Sequence, residues 1–226
     1  MAQNQFEKDL IKTSGEDLEI TFIGHGTLMF RYGDLVIHID PWSRLADYSK
    51  LPKADIIFLT HHHSDHLDPA AIEELRTKKT IIVLTELCAE QVAGGIVMHN
   101  GDIDTVKEIE VQALPAYNIV HKRENGELFH PPGEGNGYIL NLAGKRIYIA
   151  GDTENTPEMK ALTHIDIAFL PMNLPYTMTP AMVADAVKAF KPRILYPYHY
   201  GATDTSKLLE LLEDDQDVEV RIRAME

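Results

Sequence analysis

Short apolar, β-branched runs recur along the whole chain, each of a length that suits a strand and not a core helix. They occupy residues 18–22, 35–39, 56–60, 80–84, 109–114, 138–142, 146–150, 165–170, 193–198 and 218–222. Turn residues follow most of them, and Tyr32-Gly33-Asp34 and Ala143-Gly144-Lys145 read as hairpin turns. Helices are fewer. Asp68-Pro69 supplies an N-cap and an N1 proline for a helix reaching about Arg76, and Thr179-Pro180 repeats that signal for one ending before Lys191-Pro192. Shorter helical stretches are expected over 86–92 and from Thr205 or Ser206 to about Glu213. Strands interspersed with helices predict an α/β layered fold.

The 226 residues fit one domain, or two intimately packed halves. The halves rhyme: Ala54-Asp55-Ile56-Ile57-Phe58-Leu59 resembles Ile165-Asp166-Ile167-Ala168-Phe169-Leu170, and each follows a strand ending at an aspartate, Asp40 or Asp152. Duplication explains this, and so does the general likeness of buried strands. The stretch 116–137, rich in Gly, Pro, Asn and His, reads as a long functional loop. A net charge of −14 with no Lys/Arg run to offset it argues against nucleic acid as a partner. Cys88 has no partner for an intrachain disulfide, which suits a reducing compartment. The start lacks the features of a signal peptide and no run spans a membrane, so the expectation is a cytoplasmic protein acting on a small molecule. Homo-oligomerisation stays open.

Chemistry concentrates in Thr60-His61-His62-His63-Ser64-Asp65-His66-Leu67-Asp68, between the end of a buried strand and the start of a capped helix. An extended backbone points His61 and His63 the same way, with His62 opposite, and Asp65 and His66 follow as the chain turns. Imidazole with carboxylate suits zinc, manganese or iron. More ligands are expected at the ends of buried strands, where a rigid sheet aims them: Asp152 after Gly151, and His199. His38, His99, His164 and Cys88 read as structural, and the loop 171–179, with Tyr176 and Met178, as a candidate pocket wall.

The pattern His61-x-His63-x-Asp65-His66 resembles the signature of the metallo-β-lactamase superfamily, and the rest of the chain follows suit. Phe22-Ile23-Gly24-His25-Gly26-Thr27 and Ile37-His38-Ile39-Asp40-Pro41-Trp42 resemble the opening strands of its small Zn-dependent hydrolases, which include ascorbate-phosphate lactonase-like proteins. Gly151-Asp152-Thr153 resembles the bridging-aspartate motif, and Pro197-Tyr198-His199-Tyr200-Gly201 the last-histidine motif.

The resemblance implies an αββα sandwich of two mixed sheets flanked by helices. It also implies a binuclear centre: His61 and His63 on the first metal, Asp65, His66 and His199 on the second, Asp152 bridging. Asp40 would sit beneath the ligand loop and His25 beside the metal edge. The implied activity is hydrolysis of an ester, lactone or phosphoester-type small molecule by a metal-activated hydroxide, with Asp65 and Asp152 catalytic. One departure stands out. Asn118 occupies the place of the family's third first-site histidine, with His121 and His130 in the same loop as substitutes. The first site is therefore expected to be the weaker of the two, with Asn118 as a poor ligand. His130 and His121 are also candidates for protonating the leaving group. Two other readings are a diiron redox protein, disfavoured by His63 where such proteins prefer glutamate, and a non-catalytic metal-binding module.

Overall fold

The computed structural model describes residues 6–226. Two seven-stranded sheets face each other, each drawn from one continuous stretch of chain. The first holds β1 (Glu7–Ile11), β2 (Leu18–Gly24), β3 (Thr27–Tyr32), β4 (Leu35–Ile39), β5 (Ile56–Phe58), β6 (Ile81–Leu84) and β7 (Ile96–Val97) in sequence order. The second holds β8 (Ile103–Val106), β9 (Ile109–Ala116), β10 (Gly135–Leu142), β11 (Lys145–Ile149), β12 (Ile167–Pro171), β13 (Ile194–Tyr198) and β14 (Glu219–Val220), also in sequence order. In both sheets the strands up to the fourth pair antiparallel and the later ones parallel. The rhyming segments thus form the fifth strand of each sheet, β5 and β12, and Asp40 and Asp152 follow the fourth.

Parallel strands need crossovers, and the helices supply them: α1 (Pro69–Leu75), α2 (Glu86–Ala89), α3 (Pro157–Lys160), α4 (Pro180–Phe190) and α5 (Ser206–Leu211). β5 and β12 are buried at every position, as strands covered on both faces must be. The result is the αββα sandwich. Between the sheets, Phe169 stacks on Tyr196 at 5.1 Å, and Phe22 lies 5.0 Å from the same ring. A separate cluster, including Ile57, Leu59, Ile72, Leu75 and Cys88, fills the space under α1 and α2. No helix among the described residues is long and apolar enough to cross a membrane.

Some elements depart from the sequence reading. β1, β7, β8 and α3 carry too few periodic apolar residues to announce themselves; β1 is a mostly exposed edge strand. The expected helix over 86–92 stops at Ala89, and α5 stops at Leu211. β10 begins at Gly135, so its first three residues fall within the stretch expected to be irregular.

His38 on β4 is fully buried, its Nε2 donating to the Pro52 carbonyl at 3.1 Å, and burial pushes its pKa down to about 4. It folds neutral. Its stabilising contribution is complete above the ordinary value of 6.5 and is lost as pH falls towards about 4. The displacement corresponds to roughly 3 kcal/mol. Urea titrations of the metal-free protein across this window should show a stability slope that His38→Gln flattens. Equal slopes in the two proteins would show that His38 does not titrate there.

Candidate metal centre

The ends of the two sheets meet at one edge. The His199 N–H donates to the His25 carbonyl at 3.0 Å, Asn136 N–H to the Thr60 carbonyl at 2.9 Å, and the Tyr138 hydroxyl to the Leu59 carbonyl at 2.9 Å. These bonds fix the end of β13 and the start of β10 against the loops after β2 and β5. Three site residues take left-handed backbone here: His25 (φ 51°), Asp40 (φ 44°) and His199 (φ 45°). Such positions cost about 1–3 kcal/mol each and persist only where surrounding contacts over-determine them. Gly26 is required by a close approach, since a Cβ there would fall 2.6 Å from His66 Cε1.

Three groups of donor atoms converge, each within 4.8 Å: His61, His63 and His130; His25, Asp65, His66 and His199; and His61, His66 and Asp152. Asp152 lies between them. Its Oδ1 is 3.5 Å from His66 Nε2, while its Oδ2 is 3.3 Å from His130 Nε2, 3.4 Å from His199 Nε2 and 4.0 Å from His61 Nε2. Asp65 Oδ2 is 3.7 Å from His199 Nε2 and 3.9 Å from His66 Nε2.

The imidazoles are held from behind by their Nδ1 atoms. Asp40 is fully buried and sits 2.8 Å from His66 Nδ1. It also accepts from the Thr60 amide (2.8 Å) and hydroxyl (2.6 Å), and that hydroxyl is 3.1 Å from His61 Nδ1. One carboxylate thereby steers two rings, His66 directly and His61 through Thr60. The Asn173 carboxamide lies 3.2 Å from His199 Nδ1. His25 sits 3.1 Å from Asp65 Oδ2, with its ring 3.7 Å from that of His199.

What is left over tests the fit to a metal. His61 Nε2, His66 Nε2, His199 Nε2 and Asp152 Oδ1 are buried with no hydrogen-bond partner. Each such atom costs about 1–3 kcal/mol unless something binds it. Two donors about 2.0–2.1 Å from a tetrahedral cation lie roughly 3.4 Å apart, and the Asp152 contacts of 3.3, 3.4 and 3.5 Å match that spacing. The electrostatics agree. Burial pushes the Asp152 carboxyl up, but His199, His66 and His130 outweigh it and hold it well below the usual range. Burial pulls His66 down, yet Asp152, Asp40 and Asp65 raise it to about 9. Burial and neighbouring imidazoles push His61 down and His63 to about 4, leaving both neutral. The residues fit a cation.

His130, and not Asn118, stands with His61 and His63. The Asn118 oxygen accepts from the His130 backbone N–H at 2.9 Å and lies 2.7 Å from that ring's Nδ1. Asn118 thus orients the third imidazole, and the expected shortfall of imidazoles at the first position is corrected. His121 joins none of the groups, because its Nδ1 is 2.6 Å from Glu154. His62 belongs to none of the three donor groups, and Met178 is buried and is not among the residues lining the cleft beside them.

Glu154 was not singled out from the sequence. Fully buried, it accepts from the backbone amides of Ile119, Val120 and His121 at 2.7–2.8 Å and from Asn118 Nδ2 at 3.0 Å. Its one signal is an acidic residue two places beyond a strand-end aspartate. Thr60, Asn173 and Arg123 were also missed. The donors open on a cleft of about 420 Å³ lined by residues that include Ser64, Arg123, Phe129, Asn173 and Tyr176.

The beta-lactamase superfamily domain matches residues 19–199 of this chain. A UPF0173 metal-dependent hydrolase of Solibacter usitatus is 30% identical, covering 92% of this chain and 97% of the relative. The crystal structure of a Parabacteroides distasonis protein assigned as a metal-dependent hydrolase is 49% identical, with a TM-score of 0.93 over 98% of this chain and all (100%) of that one. Igni18, a metallo hydrolase of Ignicoccus hospitalis, shares the fold at 24% identity, with a TM-score of 0.74 over 92% of this chain and 96% of that one. A family match over residues 19–199, a relative 30% identical along nearly its whole length and a crystal structure of the same fold at 49% identity place the chain in the UPF0173 metal-dependent hydrolase family of the beta-lactamase superfamily.

Proposed function

We propose that the protein is a hydrolase that holds a pair of divalent cations, zinc by preference, and cleaves an ester, lactone or phosphoester-type small molecule with water. The observation that carries this reading is the set of buried, partnerless nitrogens and oxygen converging from both sheets. His61, His63 and His130 would hold one cation and Asp65, His66 and His199 the other, with Asp152 shared. Donor sets rich in imidazole favour zinc over magnesium or calcium. Cations so held lower the pKa of a bound water towards 7 and polarise the substrate oxygen.

The chain's own groups do the rest. Asp40 and Asn118 lock the imidazoles, so that their Nε2 atoms face inward without reorganising. Asp65 is half-buried at the cleft, steered by His25, and would orient the attacking water. The cleft's volume suits a small molecule. The near-complete donor sets argue against a non-catalytic module, and His63 in place of a glutamate argues against a diiron centre.

Lactones, phosphodiesters and a β-lactam should be assayed with and without a chelator. Hydrolysis of whichever is cleaved should disappear on chelation and return with zinc or manganese. Full turnover in protein shown to be free of metal would sink the reading.

A further inference from the structure

Arg123 is the one lysine or arginine lining the cleft, which it shares with Asp65, His130, Asp152 and His199. The guanidinium is exposed but held in place. It lies 5.2 Å from the centre of the Phe129 ring, and its Nη2 donates to the Phe129 carbonyl at 3.2 Å. Phe129 in turn meets Tyr176 edge-on at 5.0 Å. The backbone under Arg123 is a closed turn, with its N–H donating to the Glu127 carbonyl at 2.7 Å and its carbonyl accepting from Gly126 at 2.9 Å.

This arginine is not spent on a carboxylate. None of the ion pairs among the described residues includes it, although the chain carries 35 Asp and Glu against 21 Lys and Arg. Its Nε and Nη1 have no protein acceptor among the described residues, where Nη2 is the only guanidinium atom engaged. A planar fork, stacked on an aromatic ring and with donors unspent, loses little freedom when it grips an oxyanion.

We propose that Arg123 binds an anionic group of the substrate, a carboxylate or a phosphate distinct from the bond being cleaved, and thereby selects anionic substrates. The proposal rests on the hydrolase reading of the adjoining metal centre. A neutral substrate would leave Nε and Nη1 with only water. An anionic one gains charge-assisted hydrogen bonds, which change affinity by about 10–100-fold. Phe129 and Tyr176 complete a wall on which the organic part of such a substrate can lie.

The test is binding to metal-loaded protein, measured by calorimetry with three probes that resist hydrolysis: glutaric acid monoanilide, phenylphosphonate and neutral acetanilide. Arg123→Ala should weaken one anion by 10–100-fold and leave acetanilide unchanged. Arg123→Lys should recover part of the loss, since a point charge replaces the fork. The anion that loses more identifies carboxylate or phosphate as the group recognised. Equal binding of both anions by wild type and Arg123→Ala overturns the proposal, as does a wild type that prefers neither anion to acetanilide. Because the readout is binding, absence of turnover, which would sink the hydrolase reading, is scored separately.

Discussion

Asp152→Ala should remove bound metal and turnover while leaving the fold in place. The two oxygens of this carboxylate face both donor sets, Oδ1 towards His66 and Oδ2 towards His130, His199 and His61. Altering even an outer partner of a metal ligand costs about 10–100-fold in metal affinity, so loss of the shared carboxylate should cost at least about 100-fold. The metal-free fold loses the Oδ2 contact to His130 and the charge that faces His66 and His199, while Oδ1 makes no hydrogen bond, so the expected cost is a lower melting temperature with the secondary structure retained. Circular dichroism of the variant should match wild type, and the rise in melting temperature that wild type shows on adding zinc should vanish. Normal metal content together with normal turnover would show that Asp152 is not shared between two cations.

Glu154→Ala should act in the opposite order, on the fold first and on metal through it. The carboxylate ties three consecutive amides, the Asn118 amide and the His121 ring. Hydrogen bonds to a charged group contribute about 1.5–3 kcal/mol where partners stay buried, so a loss of about 2–4 kcal/mol is expected once water reaches the freed loop. Burial pushes the Glu154 pKa up, but Asn118 and the backbone amides of His121, Ile119 and Val120 outweigh it and keep it low. Its contribution is therefore complete above the ordinary value near 4.5 and fades as pH falls below it, so wild type and variant should converge in acid. With the loop released, Asn118 no longer orients His130. Metal should then be lost preferentially from the position served by His61, His63 and His130. Unchanged stability at neutral pH, with full occupancy at both positions, would show that Glu154 is not the anchor.

The sandwich was legible because the central strands are short, largely apolar runs, and a chain with so many of them must stack sheets with helices outside. The rhyme between residues 54–59 and 165–170 was ambiguous as sequence, since any two buried strands look alike. Topology gives it meaning, because both segments are the fifth strand of sheets built in the same order. The edge strands β1, β7 and β8 were not legible. They are short and mostly exposed, and their pairing depends on neighbours already in place.

The sequence by itself determined the heart of the site. His61, His63, Asp65 and His66 crowd into six residues at a strand end, and local backbone geometry alone brings them together. Asp152 and His199 were readable for the same reason, each closing an apolar strand. Only the tertiary structure decided what happens in the loop between β9 and β10. Along the chain Asn118 held the expected place as a poor ligand with His121 and His130 as substitutes, and nothing local separates the two histidines. Glu154, from beyond β11, captures the amides of residues 119–121 and draws His121 aside, while Asn118 is left to orient His130 towards Asp152. That choice rests on a buried carboxylate more than thirty residues away, and long-range hydrogen bonding of this kind leaves no periodicity for a sequence to display.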